Sequence, residues 1–284
     1  MKTILVTGAN GYIGGSFIKK YLHEFSFKKF SLLNDQLENI DFKDIDIVLH
    51  CAALVHQKSE TNYARYNQIN VEYPLELAKS AKKNNVKQFV FISTIAVYGE
   101  DNDILNESTQ CHPTSLYGKS KLDAENKLMM LADDNFTISI IRPPMVYGKN
   151  APGNINSLIK LVKAMPIIPL GGIDNKRSFI YISNLCSLIA AVIERKMGGI
   201  SLASDDTPIS TTELINLIAQ NLNKKVYLVK IPLFETFLKL LKPSFHQRLY
   251  GSLEVDNHST KEKLNFKNPY SPQEGINLMI HGEK

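Results

Sequence analysis

The sequence contains no tryptophan and only three cysteines, Cys51, Cys111 and Cys186. An odd number of widely separated thiols forms neither a disulfide framework nor a zinc knuckle, and such usage fits a reducing, cytoplasmic setting. Neither His50 nor His56 has a partner at a recognised metal-ligand spacing. No stretch reaches the roughly 18 consecutive apolar residues of a membrane span, so no integral membrane segment is expected. The apolar part of the opening run Met1 to Gly8 is too short for a secretory leader. Internal repeats, low-complexity tracts and blocks of one charge sign are also missing. The formal charge of +5 is spread over lysine pairs such as Lys19-Lys20, Lys28-Lys29, Lys82-Lys83 and Lys224-Lys225. These read as solvated helix ends and loops rather than a nucleic-acid surface, although a modest positive field favours an anionic small substrate. What remains is an ordinary globular composition, 44% apolar and 21% charged over 284 residues, enough for one large domain or two joined lobes.

Thr3 to Val6 is an aliphatic and β-branched run of the kind buried on both faces of a parallel sheet. Thr7-Gly8-Ala9-Asn10-Gly11-Tyr12-Ile13-Gly14-Gly15 follows directly, then an amphipathic run to Phe25. Strand, glycine-rich turn and helix in that order make a dinucleotide site, with glycines admitting close backbone approach and a helix amino terminus favouring a pyrophosphate. The first gap is one residue longer than in the usual fingerprint. Lys29 to Leu33 reads as a second strand, with Asp35 just beyond it as the candidate contact to an adenosine ribose. Gln36 to Asp44 is too short for a full strand and helix.

Asp46 to Cys51 is a further strand, ending in Ala52 and Ala53, whose small side chains leave room for a cofactor. His50 and His56 read as satisfied core or loop histidines. Asn70 to Lys83 has helical apolar spacing, and Lys87 to Ser93 is a strand that delivers Ser93 and Thr94 to the sheet edge, where hydroxyls also cap turns. His112 to Ser115 can cap a helix over 116–131, and Thr137 to Ile141 is the next strand. Five strand candidates alternating with helices predict a doubly wound parallel sheet, α/β in class, of the Rossmann type. Beyond Gly148 the spacing loosens. The Rossmann domain is expected to take in 1–148 and about 179–197, and a smaller interleaved carboxyl-terminal substrate lobe about 149–178 and 198–284. There, Ile231 to Leu241 is apolar with basic neighbours. A membrane-surface helix fits that pattern, but the bracketing Pro232 and Pro243 favour a short helix packed into the lobe.

In a helix over 116–131, Tyr117 and Lys121 are four residues apart and share a face. An ammonium beside a phenol, whose ordinary pKa is about 10, is expected to favour phenolate and lower that value. Such a tyrosine exchanges a proton with a carbonyl or alcohol during hydride transfer.

Taken together, TGANGYIG, HCAA, FISTIAVYG, YGKSK, RPPMVYG, RSFIYI and VDNHSTKEKLNF make the chain resemble, nearly end to end, the extended short-chain dehydrogenase/reductase family of nucleotide-sugar epimerases, dehydratases and reductases. The resemblance implies a nicotinamide cofactor, NAD or NADP, held by Gly8, Asn10, Gly11, Tyr12, Ile13, Gly14, Ala52, Ala53, Asn70, Tyr117, Lys121 and Pro143. It implies a catalytic set of Thr94, Tyr117 and Lys121, with Tyr117 as general acid. A UDP-sugar is then expected against Ser93, Thr94, Tyr117, Asn154, Arg177 and Arg248, with Arg177 clamping its pyrophosphate, a role suited to a guanidinium. A homodimer through the helices near 71–84 and 116–131 is also implied.

Two departures narrow the reaction. Dehydratases of this family follow the threonine with Asp-Glu, whereas Ile95-Ala96 stand here and cannot move protons. Met145 replaces an asparagine that touches the substrate phosphate in many epimerases. The run through RPPMVYG and Pro166 to Pro169 is most similar to capsule and O-antigen enzymes that reduce a UDP-2-acetamido-2,6-dideoxy-4-hexulose to UDP-N-acetylfucosamine or UDP-N-acetylquinovosamine. The alternatives are a UDP-hexose 4-epimerase with bound NAD and a non-catalytic nucleotide-sugar-binding relative.

Overall fold

The computed structural model describes residues 1–31, 35–55, 62–99 and 104–282; His56 and the end of the expected second strand lie outside them. β1 (Thr3–Thr7), α1 (Tyr12–Lys20), β2 (Ser26–Phe30) and β3 (Ile47–His50) come first. Among the described residues between β2 and β3, the one element is a one-turn 3-10 helix at Leu37–Asn39, in agreement with the short segment Gln36 to Asp44 noted in the sequence. α2 (Tyr63–Asn67) continues through a π turn (Gln68–Glu72) into α3 (Tyr73–Lys83). β4 (Gln88–Ile92), β5 (Ile104–Leu105), α4 (Leu116–Met129) and β6 (Thr137–Arg142) follow.

Next come β7 (Met145–Tyr147), α5 (Asn154–Ala164), β8 (Ile167–Ile168), β9 (Phe179–Tyr181), α6 (Ile182–Glu194) and β10 (Gly199–Leu202). The carboxyl-terminal part adds α7 (Thr211–Asn221), β11 (Tyr227–Leu228), α8 (Phe234–Leu241), α9 (Pro243–Tyr250), β12 (Glu254–Val255), α10 (His258–Leu264) and α11 (Pro272–His281).

Six strands form one sheet in the order β10-β6-β4-β3-β1-β2, every pairing parallel. Alternation within the strands builds two cores. Ile4, Val6, Ile47, Leu49, Val90 and Ile92 pack in one with Phe17 of α1 and the apolar face of α6. Leu5, Val48, Phe89, Phe91, Ile138 and Ile140 pack in the other with Leu77, Ala78 and Ala81 of α3 and Ala124 and Leu128 of α4. The result is a three-layer α/β sandwich with helices on both faces, the doubly wound arrangement expected from strands apolar on both sides.

The second strand runs over Ser26–Phe30 rather than Lys29 to Leu33. Its register on β1, Thr3 against Ser26 through Thr7 against Phe30, goes with the stacking of Phe17 on Phe25 and its edge contact with Phe27. An edge strand tolerates Lys28 and Lys29 in its middle, where the sequence alone suggests a start at Lys29. Asp35 therefore lies five residues past the strand end, where its carboxylate accepts a 2.7 Å hydrogen bond from the Ser31 amide. The sixth strand, Gly199–Leu202, assigned to the smaller lobe from the sequence, pairs with β6 in the main sheet. Conversely, β9 pairs with β7 outside that sheet, and only α6 returns to it.

Candidate active site

The chain runs from β1 to β2 on one side and then crosses back to β3 on the other side of β1, so a crevice opens at the carboxyl ends of β1 and β3. The glycine turn fills one side of that crevice. Gly8 has φ +67° and its carbonyl accepts from the Gly11 amide at 2.8 Å. A Cβ on Gly8 would sit 2.8 Å from the Ala52 amide nitrogen, and one on Gly14 would sit 2.5 Å from the Gly8 carbonyl. Only bare backbone fits where the turn, α1 and the end of β3 meet. The amino terminus of α1 has no side-chain cap and no acidic residue in its first turn, so its amide groups and positive dipole end remain available to a pyrophosphate. Asn10 is exposed and Ile13 half-buried at this turn, while the Tyr12 hydroxyl reaches Gly148, where a Cβ would come within 2.6 Å of it.

Ser93, Thr94 and Pro143 lie at the same sheet edge. The Ser93 amide donates to Ile141 at 2.7 Å, and the Ile95 amide to Pro143 at 3.1 Å. The buried Ser93 hydroxyl has no hydrogen-bond partner among the described residues. Thr94 caps the one-turn helix Ile95–Tyr98 by accepting from the Ala96 amide at 3.1 Å, the structural role hydroxyls commonly take at such an edge.

α4 brings the tyrosine and lysine to this edge. Ser115 caps it, accepting from the Gly118 amide at 3.0 Å, and Gly118 lets it press against the one-turn helix: a Cβ there would sit 2.5 Å from the Ala96 carbonyl. Lys121 is buried, its Nζ 3.7 Å from the centroid of the Phe91 ring on β4. One turn further, Glu125 pairs in the core with Arg142, which donates from Nε at 3.1 Å; the Arg142 guanidinium also lies over the Tyr98 ring.

The electrostatics correct one expectation. Burial, with Tyr66 adding to it, pushes the Tyr117 phenol up to about 12. Burial likewise pulls Lys121 down to about 7, against the opposing influence of Glu125. Removal from water is the largest influence on both groups.

Asn70, expected among the cofactor contacts, holds the walls of the crevice. Buried within the π turn, it accepts from the Leu54 amide at 2.8 Å and donates to the Leu54 carbonyl at 3.0 Å and to Ser120 Oγ at 2.9 Å. Ser120 in turn donates to the Tyr117 carbonyl at 2.8 Å. Gly118, Ser120 and Phe91 were missed by sequence reasoning; two of them lie inside the YGKSK run, which was the available signal. His50 is a core histidine, as expected. It lies 3.0 Å from Thr7 Oγ1 and stacks on Phe89 and Phe91, and burial lowers it to about 3.

The substrate-lobe candidates are less gathered. Arg177 Nη1 donates to the Gly251 carbonyl at 2.9 Å and more weakly to Gln247. Those bonds tie it to the carboxyl end of α9 rather than leaving the whole fork for a phosphate. Arg248 is exposed on α9, Met145 is partly exposed on β7, and Asn154 opens α5, its side chain outside the described residues.

Comparison with known proteins agrees with this architecture. The chain is 33% identical to a UDP-glucose 4-epimerase of Vibrio cholerae, across 97% of this chain and 93% of that protein. It is 26% identical to an N-acetyl-alpha-D-glucosaminyl-diphospho-ditrans,octacis-undecaprenol 4-epimerase of Escherichia coli O157:H7, across 81% and 75%. A dTDP-4-dehydrorhamnose reductase of Bacillus anthracis, solved with NADP, shares the fold at a TM-score of 0.80 and 22% identity over the whole of both chains. Residues 4–201 match the model of the NAD dependent epimerase/dehydratase family. With the glycine turn at the switch point of a doubly wound sheet and the Tyr117–Lys121 helix packed on its edge, this protein belongs to that family.

Proposed function

We propose that the protein reduces the C4 ketone of a UDP-2-acetamido-2,6-dideoxy-4-hexulose, giving UDP-N-acetylfucosamine or UDP-N-acetylquinovosamine for surface polysaccharide. The observation that carries this reading is the short connection between β2 and β3, whose one element among the described residues is the 3-10 turn at Leu37–Asn39. Little chain is there to wrap an adenosine, which suits a reductant exchanged at each turnover better than the permanently held NAD of an epimerase. Burial keeps the Tyr117 phenol above its ordinary value, in keeping with its use as an acid.

The residues fit a nicotinamide dinucleotide: the uncapped α1 terminus and the Gly8, Gly11 and Gly14 turn for its pyrophosphate, and Lys121 at the edge reached by its ribose. When bound, the nicotinamide supplies the hydride. Tyr117 donates its phenolic proton to the C4 oxygen as that oxygen gains charge, and Lys121, protonated below a pH of about 7, supports the phenolate left behind. Thr94 keeps a hydroxyl proton to orient the same oxygen, since its lone pair is what caps Ala96. Positioning these groups is the task of the chain, the cofactor supplying the redox chemistry. Ile95 and Ala96 offer no proton at C5 or C6. A homodimer through α3 and α4 belongs to the same reading.

The test is turnover of the 4-keto sugar with loss of reduced-nicotinamide absorbance and identification of the product by NMR. Tyr117→Phe is expected to lower kcat by about a hundredfold or more; full activity in that variant overturns the mechanism. The Vibrio relative favours a second reading, a UDP-hexose 4-epimerase. Protein that purifies with NAD bound and interconverts UDP-hexoses without added cofactor decides for it.

A further inference from the structure

The helix pair α8–α9 packs Phe234, Leu249 and Tyr250 against the core and leaves most of its other apolar residues outward. Leu233 is 81% exposed, Phe237 60%, Leu240 78%, Leu241 63% and Phe245 50%, and only Leu238 of α8 is buried. At 100° per residue, Phe237, Leu240 and Leu241 fall within an arc of about 100°, and Leu233 precedes them at the same helical spacing. Phe234 and Leu238 lie beside that arc, on the side turned to the protein. The expected lobe-packing helix thus uses a narrow edge for packing and leaves its broad apolar face outward.

The chain around that face is basic. Lys230, Lys239, Lys242 and Arg248 are all exposed, against a single acidic residue, Glu235, over 229–250, and Glu235 lies 3.2 Å from His246. The pair is nevertheless firmly tethered at its carboxyl end. Asn175 donates to the Leu249 and Gly251 carbonyls at 3.1 and 2.9 Å, and Thr211 donates to Leu249 at 2.6 Å.

We propose that α8 and α9 dock the protein on an anionic lipid bilayer, with Leu233, Phe237, Leu240 and Leu241 entering the headgroup boundary and the surrounding lysines held by anionic headgroups. Apolar residues on one side of a short helix, with Lys239 on the other side and Lys230, Lys242 and Arg248 in the adjoining chain, are what an interfacial helix needs, and an exposed apolar patch of this extent marks an interaction surface. A second copy of the chain is a poorer occupant. A two-fold interface sets the same patch against itself, which brings the basic rim of one copy onto that of the other, an unfavourable juxtaposition. A bilayer bearing negative headgroups accepts both the apolar stripe and its cations. The contact leaves the chain peripheral, since no helix among the described residues is long and apolar enough to cross a membrane.

Flotation of the full chain with vesicles of phosphatidylcholine alone, and of phosphatidylcholine mixed equally with phosphatidylglycerol, tests this. Binding to the mixed vesicles is expected to be at least about tenfold tighter than to the neutral ones and to weaken as salt is raised. The double variant Phe237→Asp/Leu240→Asp is expected to lose at least about tenfold of that binding while its thermal melting and turnover in solution stay at wild-type values. Lys239→Glu/Lys242→Glu is expected to remove the preference for anionic vesicles. No binding, binding indifferent to lipid charge, or wild-type binding by the Asp double variant each overturns the proposal. So does a concentration-dependent dimer that the Asp variant abolishes without any vesicle association, which assigns the face to a second copy.

Discussion

Asn70 shows how a side chain away from the chemistry sets where the chemistry happens. Its three hydrogen bonds join the loop after β3 to α4 through Leu54 and Ser120. Asn70→Ala leaves the amide and carbonyl of the half-buried Leu54 without these partners, at a cost of up to about 1–3 kcal/mol for a group that water does not reach. The denaturation midpoint is expected to fall accordingly, with turnover reduced because the Ser120 contact to the Tyr117 carbonyl loses its own support. An unchanged midpoint refutes the clamp. At this scale the placing of Tyr117 and Lys121 on one helix was legible from the sequence. The direction in which their pKa values move was not, because the burial that sets it comes from distant segments such as β4, whose Phe91 ring lies against Lys121, and exists only in the folded chain.

α4 is the element that turns a sheet edge into a site. Ser115 starts it, Gly118 lets it touch the turn after β4, and Tyr117, Lys121 and Glu125 follow at successive four-residue steps along one side. Gly118→Ala tests this arrangement more sharply than a change in the tyrosine. The added methyl would meet the Ala96 carbonyl at 2.5 Å and Pro113 Cβ at 3.1 Å, so the helix must move outward. Overpacking of this kind costs about 1–3 kcal/mol, and a misplacement near 1 Å lowers turnover by up to about a hundredfold. The expected result is a folded protein that binds cofactor but turns over poorly; wild-type kcat refutes it. The glycine turn before α1 was plain from the sequence because strand, turn and helix are contiguous. The contact between α4 and residues 95–98 joins segments some twenty residues apart, and nothing local announces it.

For the molecule as a whole, two buried groups give stability opposite dependences on pH. His50 has its folded pKa lowered to about 3 from an ordinary value near 6.5. Its contribution is therefore present above a pH of about 6.5 and is lost progressively as pH falls toward 3, where the unfolded chain takes up a proton that the folded chain refuses. Asp205 accepts hydrogen bonds from Tyr147 at 2.8 Å and Asn184 at 2.7 Å, yet burial still raises it to about 6. The folded state then holds a proton between pH about 6 and 4 that the unfolded state has lost, so this group adds stability as pH falls through that window. Denaturant unfolding across pH is expected to show a shallow decline from 6 to 4 and a steeper one below. His50→Phe, which keeps the stack between Phe89 and Phe91, should flatten the acid limb; a limb as steep as the wild type's refutes the assignment.

The order of strands and helices, the glycine turn, the small residues after β3 and the tyrosine four before the lysine are determined by the sequence alone, because each is a pattern of period and spacing within a few contiguous residues. Tertiary structure alone decided the rest. It placed Gly199–Leu202 in the main sheet, gave Asn70 to Leu54 and Ser120, tied Arg177 to the end of α9, and turned the apolar face of α8 outward. These depend on which distant segments take up hydrogen bonds and exclude water from one another, and no local spacing encodes that choice.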